Sequence, residues 1–374
     1  MKIYSQNFLA KNHSWSYTVQ SIARSFIKKK YDYHLFSTNG LEFFPEDLKP
    51  HLKGYIDGNK KFGELDESYD LGISYTAPLN FTKYLDRSKI KFGIWTSEFN
   101  SDKNPLPAGF AKFCQYPDKI LAPSKFSKDI FINSGIQENK IEVIPHGIDV
   151  SLFDQATPFK LKTNKSAKIF LNFGQPHLRK NIKDTLEVYG KAFSKKDDVC
   201  LVIKGINKIP QQPFEVSYEK LFKEFRFKYS NHAEVEFIDG FIPNIFSLYK
   251  VCDIYFSTTW GEGYGYPFLE SLLSGLINIA PNYSGYLDFL NENNSFLISG
   301  RLAPAPKEAL YWDANVNANI FKINIDEAVD KLKFVVKNKD IIKEKLKSNR
   351  SIVLEKYSWD KVTDQIIELY NKVK

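Results

Sequence analysis

The sequence predicts an α/β chain made of two doubly wound parallel-sheet domains. Short apolar runs alternate with stretches of helical period along most of the chain, the pattern of βαβ units. The pattern occurs twice, and a polar stretch with one proline, DQATPFKLKTNKSA (154–167), separates the two copies. A length of 374 residues suits two domains at about 100–200 residues each.

In the first half the strand candidates are KIYSQ (2–6), HLFST (34–38), LGISY (71–75), KFGIW (91–95), KILAP (119–123) and IEVIP (141–145). Between the first two, residues 15–27 place Trp15, Val19, Ile22, Ala23 and Phe26 on one helical face. Arg24, Lys28 and Lys29 fall elsewhere on that helix or at its end. They read as a solvated basic face, with a lipid-binding patch as the alternative. In the second half the candidates are KIFLNF (168–173), VCLVIK (199–204), VEFID (235–239), DIYFST (253–258), INIA (277–280) and SFLI (295–298). A loop rich in Pro and Ala is expected at 301–308. Ser358 is placed to cap a last helix whose stripe is Trp359, Val362, Ile366, Leu369 and Val373.

Composition narrows the class. Apolar residues make up 43% and charged residues 26%, as in a soluble globular protein. The net charge of +8 permits an anionic partner. With no Arg-rich tract and no zinc-finger spacing, nucleic acid is not the expected one. Cys114, Cys200 and Cys252 are odd in number and far apart, which fits neither a disulfide frame nor a metal cluster and favours a reducing compartment. No run approaches the roughly 18 apolar residues of a membrane span. The opening MKIYSQNFLAKNHS is too short and polar for a secretory signal. A cytoplasmic protein is expected, with peripheral contact to an anionic membrane face as an option.

Two segments pair chemistry with position. GEGYGYPFLESLLSG (261–275) follows the strand DIYFST. Gly261, Gly263 and Gly265 therefore lie in a loop at a strand's carboxyl end, Pro267 suits a helix's first turn, and Gly275 suits its C-terminal cap. Exposed amides joined to a helix N-terminus make an anion site. Glu262 stands in the loop, and Glu270, eight residues on, lies about one turn inside the helix. There a carboxylate can accept two hydroxyls, as a ribose would offer. The bland alternative is a tight turn with two surface acids.

The second segment, NFGQPHLRKNIKDTLEVYGKAF (172–193), also follows a strand. Asn181 with Asp184 resembles a capping box and sets a helix start near 182. Arg179 and Lys180 come just before it, where two cations oppose the helix dipole unless an anion lies between them. A diphosphate would resolve that conflict.

Together these segments resemble the retaining glycosyltransferases of the GT-B fold, family 4, over nearly the whole chain. GEGYGYPFLESLLSG is similar to that family's E-x7-E region and FGQPHLRKN to its phosphate-gripping loop. IDGFI (238–242) resembles its base-binding loop. LAPSKFSKDIFINSGI (121–136) with IEVIPHGIDVSLF (141–153) resembles its last N-domain segment, and SWDKV (358–362) the start of its final helix. The resemblance implies two Rossmann-like doubly wound domains facing a central cleft. An acceptor-binding domain would span 1–158, a donor-binding domain 159–356, and a helix crossing back to the first domain 357–374.

It also implies transfer of a sugar from a nucleotide diphosphate sugar to a glycan, polysaccharide or glycolipid acceptor, with retention and without a metal or other cofactor. By similarity Glu262 faces the donor sugar and Glu270 holds the ribose. Arg179 and Lys180 neutralise the diphosphate, Gly263, Tyr264 and Gly265 contact sugar and phosphates, and Phe241 and Ile242 read the base. Fixed cations can stabilise such a leaving group, and no second acid is evident beside Glu262, which favours same-face attack over a two-carboxylate route. The chain departs from the family pattern in three places. Gln175 stands where Arg is frequent, the first loop reads LAKNHSWS (9–16), and WTSEFN (95–100) has no His. The acceptor-side candidates are then His13, Ser14, Thr96 and Glu98. His146, in PHGID, is expected to be structural, and the role of His177 is open. A nucleotide-sugar epimerase of the same architecture and a non-catalytic sugar-binding module are the rival readings.

Overall fold

The computed structural model describes residues 1–9, 14–39, 44–57, 60–63, 68–175, 177–206, 217–310 and 318–374. The chain divides into two units, one of residues 1–97, 101–149 and 356–374, the other of 98–100 and 150–355.

The first unit runs β1 (Lys2–Asn7), α1 (Ser14–Lys28), β2 (Asp32–Ser37), β3 (Leu52–Asp57), β4 (Lys60–Gly63), β5 (Tyr69–Tyr75), α2 (Phe81–Tyr84), β6 (Ser88–Ile94), α3 (Phe110–Phe113), β7 (Lys119–Ala122), α4 (Lys125–Asn133) and β8 (Ile141–Val143). Its sheet order is β4-β3-β2-β1-β5-β6-β7-β8. All pairs are parallel except β3 with β4. As the helical period required, α1 buries Val19, Ile22, Ala23 and Phe26. The C-terminal helix, Trp359–Val373, belongs to this unit, and Ser358 caps it by accepting from the Lys361 N–H. Its indole lies where a Cβ on Gly147 would come within 2.6 Å of it.

The basic face of α1 is not bare. Arg24 pairs with Asp47 at 2.6 Å, Lys28 with Asp360 at 2.5 Å and Lys29 with Asp364 at 2.5 Å. His146 is buried against the Tyr75 hydroxyl at 3.3 Å. Burial pushes its imidazole down to about 3, so it is neutral.

The second unit runs α5 (Val150–Gln155), β9 (Ala167–Gly174), α6 (Ile182–Ala192), β10 (Val199–Gly205), α7 (Tyr218–Lys228), β11 (Glu234–Asp239), α8 (Phe246–Tyr249), β12 (Ile254–Phe256), α9 (Tyr266–Leu273), β13 (Ile277–Pro281), β14 (Ser295–Ile298), β15 (Gly300–Pro304), β16 (Asn319–Ile323), α10 (Ile325–Lys345) and α11 (Asn349–Lys356). Its six-stranded parallel sheet has the order β11-β10-β9-β12-β13-β14. The chain winds outward one way from β9 and the other way from β12. The loops after these two strands therefore flank a topological switch point, where open α/β sheets bind ligands. One sheet face packs aliphatic residues such as Ile169, Leu171, Leu201 and Ile203 with α6 and α10. The other carries rings: Phe170 meets Tyr249 at 4.9 Å, and Tyr255 meets Phe268 at 5.0 Å.

Two hairpins escaped the sequence reading. β3 and β4 pair antiparallel at one sheet edge. Part of the expected Pro/Ala loop is strand, because β15 pairs antiparallel with β16. KKFG, the edge strand of the first sheet, and GRLAP, in a two-stranded pair, hold the lysines, glycines and proline that blunt edge strands, and LKGYID, one strand in from the edge, is interrupted by Lys53 and Gly54, so all three show little apolar alternation. Among the described residues, no helix is long and apolar enough to cross a membrane.

Candidate active site

The loops after β9 and β12 are bonded to each other through their backbones. Arg179 lends its carbonyl to the Trp260 N–H at 2.7 Å and to the Thr259 hydroxyl at 3.1 Å. The Thr258 hydroxyl donates to the Asn181 carbonyl at 2.8 Å, and the Asn181 amide donates to the Thr258 carbonyl at 2.9 Å. These contacts fix the single turn Leu178–Lys180 against the glycine-rich loop.

Asn181 does this from a left-handed conformation, φ 50. The helix starts at Ile182 as expected, but the capping-box reading needs correction. Asn181 makes no side-chain cap; its amide donates instead to Asp184 at 2.8 Å. A left-handed backbone turns the side chain away from the helix's first N–H groups and toward the neighbouring loop.

The cations converge on Glu262. Lys180 Nζ lies 2.5 Å from Oε1 and an Arg179 guanidinium nitrogen 2.9 Å from Oε2. Arg179 also reaches Glu98 at 3.2 Å and the Gly261 carbonyl at 3.2 Å. Ser284 secures the Glu262 backbone, accepting from its N–H and donating to its carbonyl, each at 2.5 Å. Glu262 is only 9% exposed. Burial alone would raise its carboxyl, but Arg179 and Lys180 outweigh that and hold it below the ordinary range. Burial, with the neighbouring Arg179, pushes the Lys180 ammonium down. The sequence called for an anion beside two cations; in this state the chain's own carboxylates supply it.

Glu98 is the surprise of this cluster. Residues 98–100 belong to the second unit, and a Cβ on Gly261 would sit 2.0 Å from the Glu98 carbonyl. Only glycine permits that approach. The reading that no second acid stands near Glu262 is therefore corrected: Glu98 shares Arg179 with it.

Gly265, left-handed at φ 90, precedes α9, and Pro267 lies in the helix's first turn. Gly275, at φ 75, follows its end. Glu270 points to Tyr249, whose hydroxyl donates to Oε2 at 2.8 Å. Among the described residues no cation offsets this burial, which pushes the carboxyl up to about 7, against the pull of the Tyr249 hydrogen bond. Gly263 is buried, and Tyr264 packs its ring on Phe289 at 5.4 Å. Gln175 accepts from His177 Nε2 at 2.8 Å. Burial, with Arg179 and Lys180 nearby, pushes that histidine down to about 4. The loop after β11 carries Phe241, 49% exposed, and half-buried Ile242.

Of the acceptor-side candidates, Thr96 and Ser14 lie in the first unit. Thr96 shares a hydrogen bond with Ser127 at 3.1 Å, and the Ser14 carbonyl accepts from Thr18 at 2.9 Å. His13 lies outside the described residues. Ser284 and Tyr249 were missed. The turn residues NYSG after β13 were a usable signal for Ser284; nothing in the sequence ties Tyr249 to Glu270.

Comparison with known proteins decides the family. The profile described as "Glycosyl transferases group 1" matches residues 153–351. The chain belongs to this family. A second profile, "Glycosyltransferase Family 4", matches residues 92–152. A Streptococcus pneumoniae alpha-monoglucosyldiacylglycerol synthase is 27% identical to this group 1 glycosyl transferase over 54% of the chain and 46% of the relative, so the chain spans about half of that protein's length. An uncharacterized protein of Sulfolobus islandicus rod-shaped virus 1 is 24% identical, over 78% of this chain and 79% of that one. Among solved structures, Anabaena HepE in complex with UDP and glucose has TM-score 0.73 at 15% identity, with all of both chains covered. Sucrose-phosphate synthase from Thermosynechococcus elongatus has TM-score 0.73 at 12% identity, covering 100% of this chain and 99% of that one. These likenesses, with the two parallel sheets, give this glycosyl transferase the GT-B fold.

Proposed function

We propose that this glycosyl transferase moves a hexose from a nucleoside diphosphate sugar to a glycan, polysaccharide or glycolipid acceptor, with retention at the anomeric carbon. The observation behind this reading is the Arg179–Glu262–Lys180 cluster at the switch point of the second sheet. Cleavage of a glycosyl–phosphate bond builds negative charge on the diphosphate and positive charge on the sugar. When the donor enters, its phosphates take up Arg179 and Lys180, and Glu262 is released to face the anomeric carbon. Fixed cations then stabilise the leaving group without a metal. The leaving phosphate takes the acceptor's proton on the face it departs from. Glu270, ionised on binding, accepts the ribose hydroxyls, while amides around Gly263, Tyr264 and Gly265 contact the sugar and Phe241 and Ile242 meet the base.

In this reading residues 1–158 bind the acceptor, with His13, Ser14 and Thr96 as candidates, residues 159–356 bind the donor, and the helix in 357–374 returns to the first domain. HepE's bound UDP and glucose make UDP-glucose the first donor to try. The Streptococcus relative's name, that of a synthase making a monoglucosylated diacylglycerol, makes diacylglycerol the first acceptor to try. Three free, buried thiols suit a reducing, cytoplasmic setting. A contact with the membrane's inner face would have to break ion pairs, since Arg24, Lys28 and Lys29 are already paired with Asp47, Asp360 and Asp364.

The test is UDP release from UDP-glucose, with and without acceptor, in wild type and Glu262→Gln. Transfer that needs Glu262 and yields the α-linked product supports the reading. Full activity in the variant, or inversion of the product, overturns it, and donor conversion without acceptor would point to an epimerase.

A further inference from the structure

β10 ends in Lys204 and Gly205. Residues in register on parallel strands share a face, so Lys204 lies on the same face as Asn172 of β9. Phe170, two residues before Asn172, also shares it, and Phe170 packs on Tyr249, the residue that holds Glu270. Lys204 is thus on the sheet face of the Tyr249–Glu270 pair. Its strand lies between β9, whose end opens the Arg179–Lys180 loop, and β11, whose end opens the Phe241–Ile242 loop.

At 7% exposed, Lys204 has the lowest surface exposure of any lysine or arginine among the described residues. Its ammonium has one hydrogen bond among them, to the Gly205 carbonyl at 3.5 Å, which is too long to offset a buried charge. Asp239, at the end of β11, acts on it through space without an ion pair among the described residues. Arg179 and Lys180 are matched by two carboxylates, Glu98 and Glu262. Arg179 and Lys180 are thus already in use, and Lys204 is not.

We propose that Lys204 is a further donor-site residue whose ammonium takes a phosphate oxygen of the nucleoside diphosphate. The inference rests on the donor-site reading of the same unit. It differs in adding a cation, on β10, to the two in the Arg179–Lys180 loop.

The experiment titrates the full chain with UDP, GDP, ADP and inorganic pyrophosphate, in wild type, Lys204→Met, Lys204→Gln and Glu270→Ala. Removing one charge-assisted hydrogen bond should weaken UDP about ten- to a hundredfold. Pyrophosphate, which has no base or ribose, should weaken by a similar factor. The melting temperature of unliganded Lys204→Met should stay level or rise, because a buried unpaired charge is gone. Lys204→Gln serves if the Met variant does not fold. UDP affinity unchanged in the variants overturns the proposal, and so does a loss for UDP with none for pyrophosphate. If wild type binds UDP, Glu270→Ala loses it and Lys204→Met keeps it, this inference falls while the donor site stands. If UDP, GDP and ADP all fail to bind wild type, both fall.

Discussion

Glu262 and Glu270 lie eight residues apart, on either side of one loop-to-helix junction, the first buried and the second half-buried. Their surroundings drive them in opposite directions. In the loop, burial is overruled by Arg179 and Lys180, and the carboxyl is held low. In the helix, burial is opposed by a tyrosine hydroxyl alone among the described residues, and the carboxyl rises to about 7. The same residue type is thus a permanent anion at one position and a group poised near neutrality at the other. The loop supplies fixed charge where a glycosyl cation would form. The helix supplies an acceptor whose ionisation a ligand can complete.

The contrast is broken most severely at Glu262. Glu262→Ala leaves Arg179 and Lys180 buried beside one remaining carboxylate, and losing one partner of a buried pair costs about 3–5 kcal/mol. Urea unfolding without ligand should show a loss of that size, and millimolar pyrophosphate should restore part of it by replacing the missing anion. An unchanged midpoint would mean that the cations turn out to solvent. For Glu98→Gln, which removes a carboxylate from the same guanidinium, measurable transfer should survive. Activity as low as in Glu262→Gln would make Glu98 a participant in the chemistry.

The next effect concerns pH, and the two carboxyls oppose each other. A carboxyl whose folded value is raised binds more protons folded than unfolded, so its stabilisation falls as pH rises from about 4.5 to about 7. For Glu270 that window corresponds to about 3 kcal/mol at ~1.4 kcal/mol per unit. Glu262, held low, stabilises the fold above its unfolded value and gives that up as pH falls through its folded value. Glu270→Gln should therefore flatten the stability profile between pH 4.5 and 7 while leaving the acid limb in place. Nucleotide affinity should climb through neutrality in wild type, because the ribose hydroxyls need the ionised carboxylate, and not in Glu270→Gln. A profile that the substitution leaves unaltered would dissolve the contrast.

Half of this contrast was legible in the sequence. Arg179, Lys180, Glu262 and Glu270 follow strands that apolar runs had marked, and their spacing carried the chemistry. The surroundings that set their charge were not legible. Glu98 is 81 residues before Arg179 in the chain, Tyr249 is 21 before Glu270 and Ser284 is 22 after Glu262, so no periodicity links them. The strands hidden in KKFG and GRLAP are silent for a related reason: edge strands pair through backbone groups and keep charged or proline residues to discourage further pairing. Asn181 was placed correctly at a helix start but misread as a cap, because a left-handed φ is not written in residue type.

The smallest effects test the supports. Tyr249→Phe removes the hydroxyl that lowers Glu270, so the rise of nucleotide affinity should shift to higher pH with only about 1–2 kcal/mol lost in stability. Ser284 allows a finer test. It sits at φ 104, a conformation that side chains rarely adopt, and it bonds both the N–H and the carbonyl of Glu262. The carbonyl keeps the Gly285 N–H at 2.9 Å when the hydroxyl goes, so only the Glu262 N–H is orphaned, at about 1–3 kcal/mol. Ser284→Ala bears that loss and keeps the strain, whereas Ser284→Gly bears the same loss and relieves the strain. Glycine should therefore be the milder replacement by thermal unfolding, against the usual order of the two residues. If alanine is milder, the strained backbone at 284 is not what fixes Glu262, and the loop holds its anion through the cations alone.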